Sequence, residues 1–142
     1  MTPARRLIER FGNPDAMAEL YHPDIEWTLP ESSGRFAGPH VGQATVLAFN
    51  RAVWEKLYFS DGEVEVLDET GDATCSSVRF RYTARIRPNG EKYSVEYALF
   101  VRCAEGKLRE VHELLDTATS QKLLSVARKR ENAPSSPPFA RP

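Results

Sequence analysis

Two alternating runs joined by a tight turn constrain this chain more than anything else in it. Val78, Phe80, Tyr82, Ala84 and Ile86 take every second position, with Ser77, Arg79, Arg81, Thr83, Arg85 and Arg87 interleaved. Pro88-Asn89-Gly90 follows, a strong hairpin signal. Beyond it Tyr93, Val95, Tyr97, Leu99 and Val101 alternate with Ser94, Glu96, Ala98 and Arg102. A period of two puts each set on its own face of a sheet. The hairpin therefore has one apolar wall that must be covered and one arginine-rich wall that faces water or another subunit. Glu63, Glu65, Glu91, Glu96 and Glu110 on neighbouring strands supply partners for those arginines, and exposed cross-strand pairs of this kind are individually weak.

The cover comes from the first third of the chain. Thr2-Pro3 is a cap and first-turn pair, with Leu7, Ile8 and Phe11 on one helical face before Gly12-Asn13-Pro14 breaks the run. Asp15 to Tyr21 reads as a second short helix, ended by His22-Pro23-Asp24. Ile25 to Leu29 alternates like a half-buried strand, and Pro30 to Gly42 is a loop rich in Ser, Gly and Pro. Gln43 to Lys56 is the longest predicted helix, with Val46, Leu47, Phe49, Val53, Trp54 and Leu57 in register. Four strands follow: Gly62 to Leu67, Ala73 to Arg87, Lys92 to Cys103 and Lys107 to Asp116. Helices followed by a meander predict an α+β fold, a curved and mostly antiparallel sheet wrapped around N-terminal helices as a cone-shaped barrel. Such a cone leaves room for a small molecule. The domain is expected over 1–124, with 125–142 holding the end of a terminal helix (Thr117 to Arg130) and a disordered tail rich in proline.

The last strand does not obey simple alternation. Leu108, Val111 and Leu115 share a face only if one extra residue intervenes, which predicts a β-bulge near Arg109-Glu110. Past it, Val111, Glu113 and Leu115 face the cone, while His112, Leu114 and Asp116 face out. A slip of one residue exchanges Glu113 for the pair His112 and Asp116.

Composition excludes several classes. The chain has 142 residues, 41% hydrophobic and 27% charged, with a formal net charge of -1. That is ordinary for a single globular domain and provides no field for nucleic acid. No apolar run approaches the roughly 20 residues that cross a bilayer, and the N-terminus lacks a signal-peptide core, so a cytoplasmic protein without membrane association is expected. Cys75 and Cys103 are expected as reduced thiols. With His22, His40 and His112 scattered, no metal site is expected.

Several strings resemble the nuclear-transport-factor-2-like superfamily, in its SnoaL-like and ketosteroid-isomerase-related branch. They are Leu20-Tyr21-His22-Pro23-Asp24-Ile25-Glu26-Trp27, the Phe36-Ala37-Gly38 to Gly42 loop, Pro88-Asn89-Gly90, and Glu105-Gly106-Lys107-Leu108 running on to Glu113 through Ala118. The resemblance covers the chain to about Leu124. It implies a cone fold that often pairs through its convex face, hence a homodimer, and chemistry that includes isomerisation, cyclisation and epoxide hydrolysis. Where ketosteroid isomerases carry a carboxylate base, this chain has Leu29. Where limonene-epoxide-hydrolase-like enzymes hold a water with tyrosine and asparagine, it has Trp27 and Leu29. Their arginine and aspartate on the long strand become Phe80 and Tyr82, and only Glu113 matches their second aspartate in charge.

A carboxyl buried in such a cone gains proton affinity and suits general acid–base work near neutrality. The expected catalytic set is thus Glu113 and Tyr82, with His112 and Asp116 as the competing pair. Tyr82 or Tyr97 would donate to a developing oxyanion. The substrate-binding wall is expected from Trp27, Leu29, His40, Trp54, Phe80, Val95, Tyr97, Val111 and Leu115. The function implied is cofactor-independent acid–base chemistry on a hydrophobic, oxygenated small molecule. The alternative is a binding or dimerisation module of the same fold, with Glu113 pointing outward and the tyrosines serving only as core.

Overall fold

A computed structural model describes residues 1–132, with side chains through residue 125. Helix α1 (Pro3–Glu9) starts where Thr2 accepts a hydrogen bond from the Arg5 amide at 3.2 Å, satisfying one of the first-turn donors that a helix leaves orphaned. Its Ala4, Leu7 and Ile8 are buried. Gly12 turns the chain at φ 96°, a conformation that L side chains rarely adopt, and Asn13 caps α2 (Pro14–Ala18).

Strand β1 (Tyr21–Thr28) begins earlier than the sequence suggests. The expected helix end at Tyr21 is instead a strand start. Tyr21 pairs with Leu108 of β6 (Lys107–Leu115), and the ladder is interrupted before it resumes at Glu26. The Tyr21 side chain is buried and bonded to a helix across the core, so tertiary contacts override a weak local helical preference. The short β2 (His40–Val41) pairs with β1, and α3 (Gln43–Lys56) follows with the bounds its apolar periodicity predicts.

Strands β3 (Glu63–Gly71), β4 (Cys75–Arg85) and β5 (Lys92–Ala104) form the antiparallel meander with β6. The turn between β4 and β5 sits at Pro88-Asn89-Gly90, where Gly90 has φ 70° and its amide donates to Ile86 O at 2.7 Å. The sheet order is β2-β1-β6-β5-β4-β3, with only the β1–β6 pair parallel. It is curved and unclosed, an open-sided cone whose free edges are β2 and β3. Alternation sorts the faces as expected: Val78, Phe80, Tyr82, Ala84 and Ile86 on one strand, and Tyr93 through Val101 on the next, are buried beneath the helices.

Arg87 is the exception among the outward set. Its Nε donates to Trp54 O and Tyr58 O at 2.8 Å each, satisfying carbonyls at the end of α3 and just beyond it. The residue lies past the end of β4, so strand alternation no longer governs it. The bulge falls where the sequence requires it. Arg102 pairs with Glu110 and Cys103 with Leu108, leaving Arg109 as the extra residue on β6. Both cysteines are free.

Helix α4 (Thr117–Asn132) leaves the last strand at once. Asp116 is its N-terminal anchor: its carboxylate accepts from Thr119 N at 3.1 Å and from Thr119 Oγ1 at 2.7 Å. The remainder of the expected tail, 133–142, lies outside the described residues. No described helix is long and apolar enough to cross a membrane.

Candidate functional site

A cavity of about 390 Å3 lies between the concave sheet face and helices α3 and α4, within the size range of small-molecule sites. Trp27 comes from β1 and Leu29 from just past its end, Asn50, Val53 and Trp54 from α3, Tyr82 from β4, Tyr97 from β5, and Glu113 and Leu115 from β6. Arg35 and Phe36 stand at its mouth, and α4 closes one side with Ser120, Gln121 and Leu124. Ser32 Oγ bonds Thr117 Oγ1 at 3.1 Å, and the Gln121 side chain donates to Ser32 O, so loop and helix are latched together there.

Glu113 is the one acid on the cavity wall among the described residues, and it is only 8% exposed. Trp27 Nε1 donates to its Oε1 at 3.0 Å. No described cation reaches it: Arg35, the one basic lining residue, lies 5.0 Å over the Phe36 ring at the mouth. Burial raises the Glu113 pKa from 4.5 to about 7, with the Trp27 hydrogen bond pulling the other way. Loss of hydration penalises the charged form, and one indole N–H recovers only part of it. At neutral pH the carboxyl is then poised between its two states.

Phenols cluster in and beside the same cavity. Tyr93 OH shares hydrogen bonds with Tyr97 OH and with Ser120 Oγ, both at 2.6 Å, and Tyr58 packs on Tyr93 at a ring separation of 4.7 Å. Tyr82 OH accepts from Trp54 Nε1 at 2.8 Å. Burial raises the pKa of Tyr58, Tyr82, Tyr93 and Tyr97. These hydroxyls are therefore protonated at neutral pH and able to donate.

Of the residues that the sequence nominates, Trp27, Leu29, Trp54, Tyr82, Tyr97, Glu113 and Leu115 line the cavity. Phe80, Val95 and Val111 do not; they are fully buried in packed core. His40 is also set back from it. Its Nε2 lies 2.9 Å from Phe36 O and its ring stacks on Phe49 at 4.0 Å, so it supports a wall residue from behind. His112 and Asp116 are exposed on the outer face. The Arg109 bulge sets that outcome, because every residue after it reverses face relative to an unbulged strand. Asp116 is held as the cap of α4, and its pKa is lowered by those Thr119 hydrogen bonds.

Sequence reasoning passed over Asn50, Tyr58, Tyr93 and Ser120. Asn50 had a legible signal: Val46, Asn50 and Trp54 are successive i, i+4 neighbours, so a polar residue interrupts the apolar stripe of α3. All three are buried.

The family model of the SnoaL-like domain matches residues 4–111, ending just before Glu113. An NTF2-like protein of unknown function from Burkholderia pseudomallei superposes with a TM-score of 0.73 at 19% identity, covering 85% of this chain and 93% of that one. A putative isomerase from Rhodopseudomonas palustris gives 0.69 at 21% identity, with 85% and 92% covered. A putative SnoaL-like polyketide cyclase from a Jannaschia species gives 0.67 at 19% identity, with 95% and 98% covered. At such identities the likeness establishes the fold. No curated protein matches the chain.

Proposed function

This chain belongs to the SnoaL-like domain family, and on that footing we propose that it carries out cofactor-independent general acid–base chemistry on an apolar, oxygenated small molecule. Isomerisation, ring closure and hydrolysis are the reaction types in scope. One observation carries the reading: a carboxyl sits inside a largely apolar cavity with its pKa raised to about 7. A base works best when its proton affinity matches the working pH.

The elementary step is a proton transfer. Ionised Glu113 takes a proton from carbon next to a carbonyl, and the C–H electron pair moves into the C–C bond as the carbonyl oxygen gains charge. Phenolic donors such as Tyr97 stabilise that oxygen. The protonated carboxyl then returns the proton, to the same carbon or to a conjugated one, and Glu113 is regenerated.

2-Tetralone, an enolisable bicyclic ketone, provides the test. Its hydrogen–deuterium exchange in D2O, followed by NMR, is expected to be accelerated by the protein with an inflection near pH 7. Glu113→Gln is expected to slow the protein-catalysed exchange at least about 100-fold. Unchanged exchange in that variant removes Glu113 from the mechanism. Binding without exchange in the parent protein selects the non-catalytic binding module instead.

The proposal includes a cytoplasmic homodimer paired through the outer sheet face. Phe100 and Leu114 are each 48% exposed there. Ala98 and His112 are their cross-strand neighbours, which makes one apolar patch beside the arginines. Sedimentation is expected to show a dimer that Leu114→Glu dissociates; a monomer in the parent protein refutes the pairing.

A further inference from the structure

The most informative polar atom that the chemistry above leaves unused is on α3. Asn50 is 1% exposed and lines the cavity. Its Oδ1 accepts a hydrogen bond of 2.5 Å from Tyr21 OH, and Tyr21 is itself buried at the start of β1. That bond fixes which end of the carboxamide faces the protein. The opposite end, Nδ2, has no acceptor among the described residues. It is also not among the polar atoms sealed away from any accessible space. An amide nitrogen so placed is paired only by what fills the cavity, and a guest that displaces water from it without offering an acceptor forfeits about 1–3 kcal/mol.

We propose that Asn50 is a ligand-binding residue whose Nδ2–H group donates to an acceptor oxygen of the bound molecule, so that the cavity selects a carbonyl compound over a hydrocarbon of the same shape. This rests on the reading that the cavity receives a small organic molecule, and it names the group by which that molecule is held. Asn50 comes from the helix layer, and Glu113 from the sheet. A ligand between them meets a neutral, permanent donor on one side and a titrating carboxyl on the other. The two act on different atoms: the amide takes the oxygen, leaving the carboxyl free for an adjacent carbon. Tyr21 is the positioning residue, since its hydroxyl holds the carboxamide in the donor-inward orientation.

The test compares binding of 2-tetralone with that of 2-methylenetetralin, in which a CH2 group replaces the carbonyl oxygen. Calorimetry on the full chain at pH 8.5, where Glu113 is mostly ionised, removes the carboxyl as a donor, and the Asn50 variants then separate the amide from the phenols. The parent protein is expected to bind the ketone about tenfold more tightly, the preference that one unpaired buried donor creates. Asn50→Leu is expected to erase that ratio while the hydrocarbon binds as well as before or better. Should Asn50→Leu fail to fold because Tyr21 loses its acceptor, Asn50→Asp keeps an oxygen for Tyr21, removes the NH2 donor, and is expected to erase the ratio too. A purely structural asparagine would weaken both ligands together and leave the ratio intact. A ratio that persists in either folded variant overturns the proposal, as does equal affinity or no binding of either compound in the parent protein. Because the readout is binding, Glu113 can prove non-catalytic without touching this result, and the converse also holds.

Discussion

The two faces of β6 put chemically similar groups to opposite use. Glu113 points into the cone, meets one indole N–H, and has its pKa raised by burial. Asp116, one residue past the end of that strand, faces water and has its pKa lowered by hydrogen bonds to Thr119. The two faces of the sheet around them differ likewise. The inner face is a lattice of aromatic contacts, with Phe11 edge-on to Trp54, Phe80 and Tyr82 at 4.9–5.4 Å. The outer face carries exposed ion pairs such as Arg79–Glu96 at 3.2 Å and Arg85–Asp61 at 3.1 Å. Desolvation explains the difference. A charge inside the cone loses its hydration and alters both stability and reactivity, whereas outside, water screens the same charge into near neutrality.

The largest consequence is a pH-dependent stability that Glu113 alone should dominate. Its folded pKa, about 7, exceeds the ordinary 4.5, so the folded state holds a proton that the unfolded state gives up. The penalty is absent below about pH 4.5, grows as pH rises, and is complete above 7. It should reach on the order of 3 kcal/mol. Urea unfolding at pH 5 and pH 8 is expected to show that loss in the parent protein and its absence in Glu113→Gln. A flat parent profile would mean that the carboxyl is better hydrated than its burial implies.

A smaller effect sharpens the contrast from within the cavity. Trp27→Phe removes the one hydrogen bond that favours ionised Glu113. The pKa should move further up, carrying the inflection of tetralone exchange with it, while stability at low pH falls by about 1 kcal/mol. An inflection that stays in place would show that Trp27 does not contact the ionised form. Smallest of all are the outer changes. Arg79→Ala and His112→Gln should each shift stability by less than about 1 kcal/mol and leave exchange unaltered. If His112→Gln abolished exchange, the inside–outside assignment of β6 would be reversed.

Much of this contrast is legible in the residues themselves. Val78 to Ile86 and Tyr93 to Val101 declare their faces because side chains in a strand alternate wherever no bulge intervenes. The awkward spacing of Leu108, Val111 and Leu115 reveals the bulge, and with it the inward course of Glu113. Where the reading went astray, a long-range partner was responsible. Tyr21 is drawn into a parallel ladder with β6 and His40 is drawn behind Phe49. Phe80, Val95 and Val111 are on the correct face yet sit in packed core rather than beside the void.

The sequence by itself determined which side of the two long hairpin strands is apolar and where the hairpin turns, and it narrowed the inward acid to Glu113 or its slipped alternative, since these follow from periodicity along a single element. Only the tertiary structure decided where the inner wall is filled and where it is hollow, that Asp116 anchors a helix, and that Asn50, held by Tyr21, lines the cavity. Each of those depends on the distance between elements far apart in the chain, and periodicity carries no information about that distance.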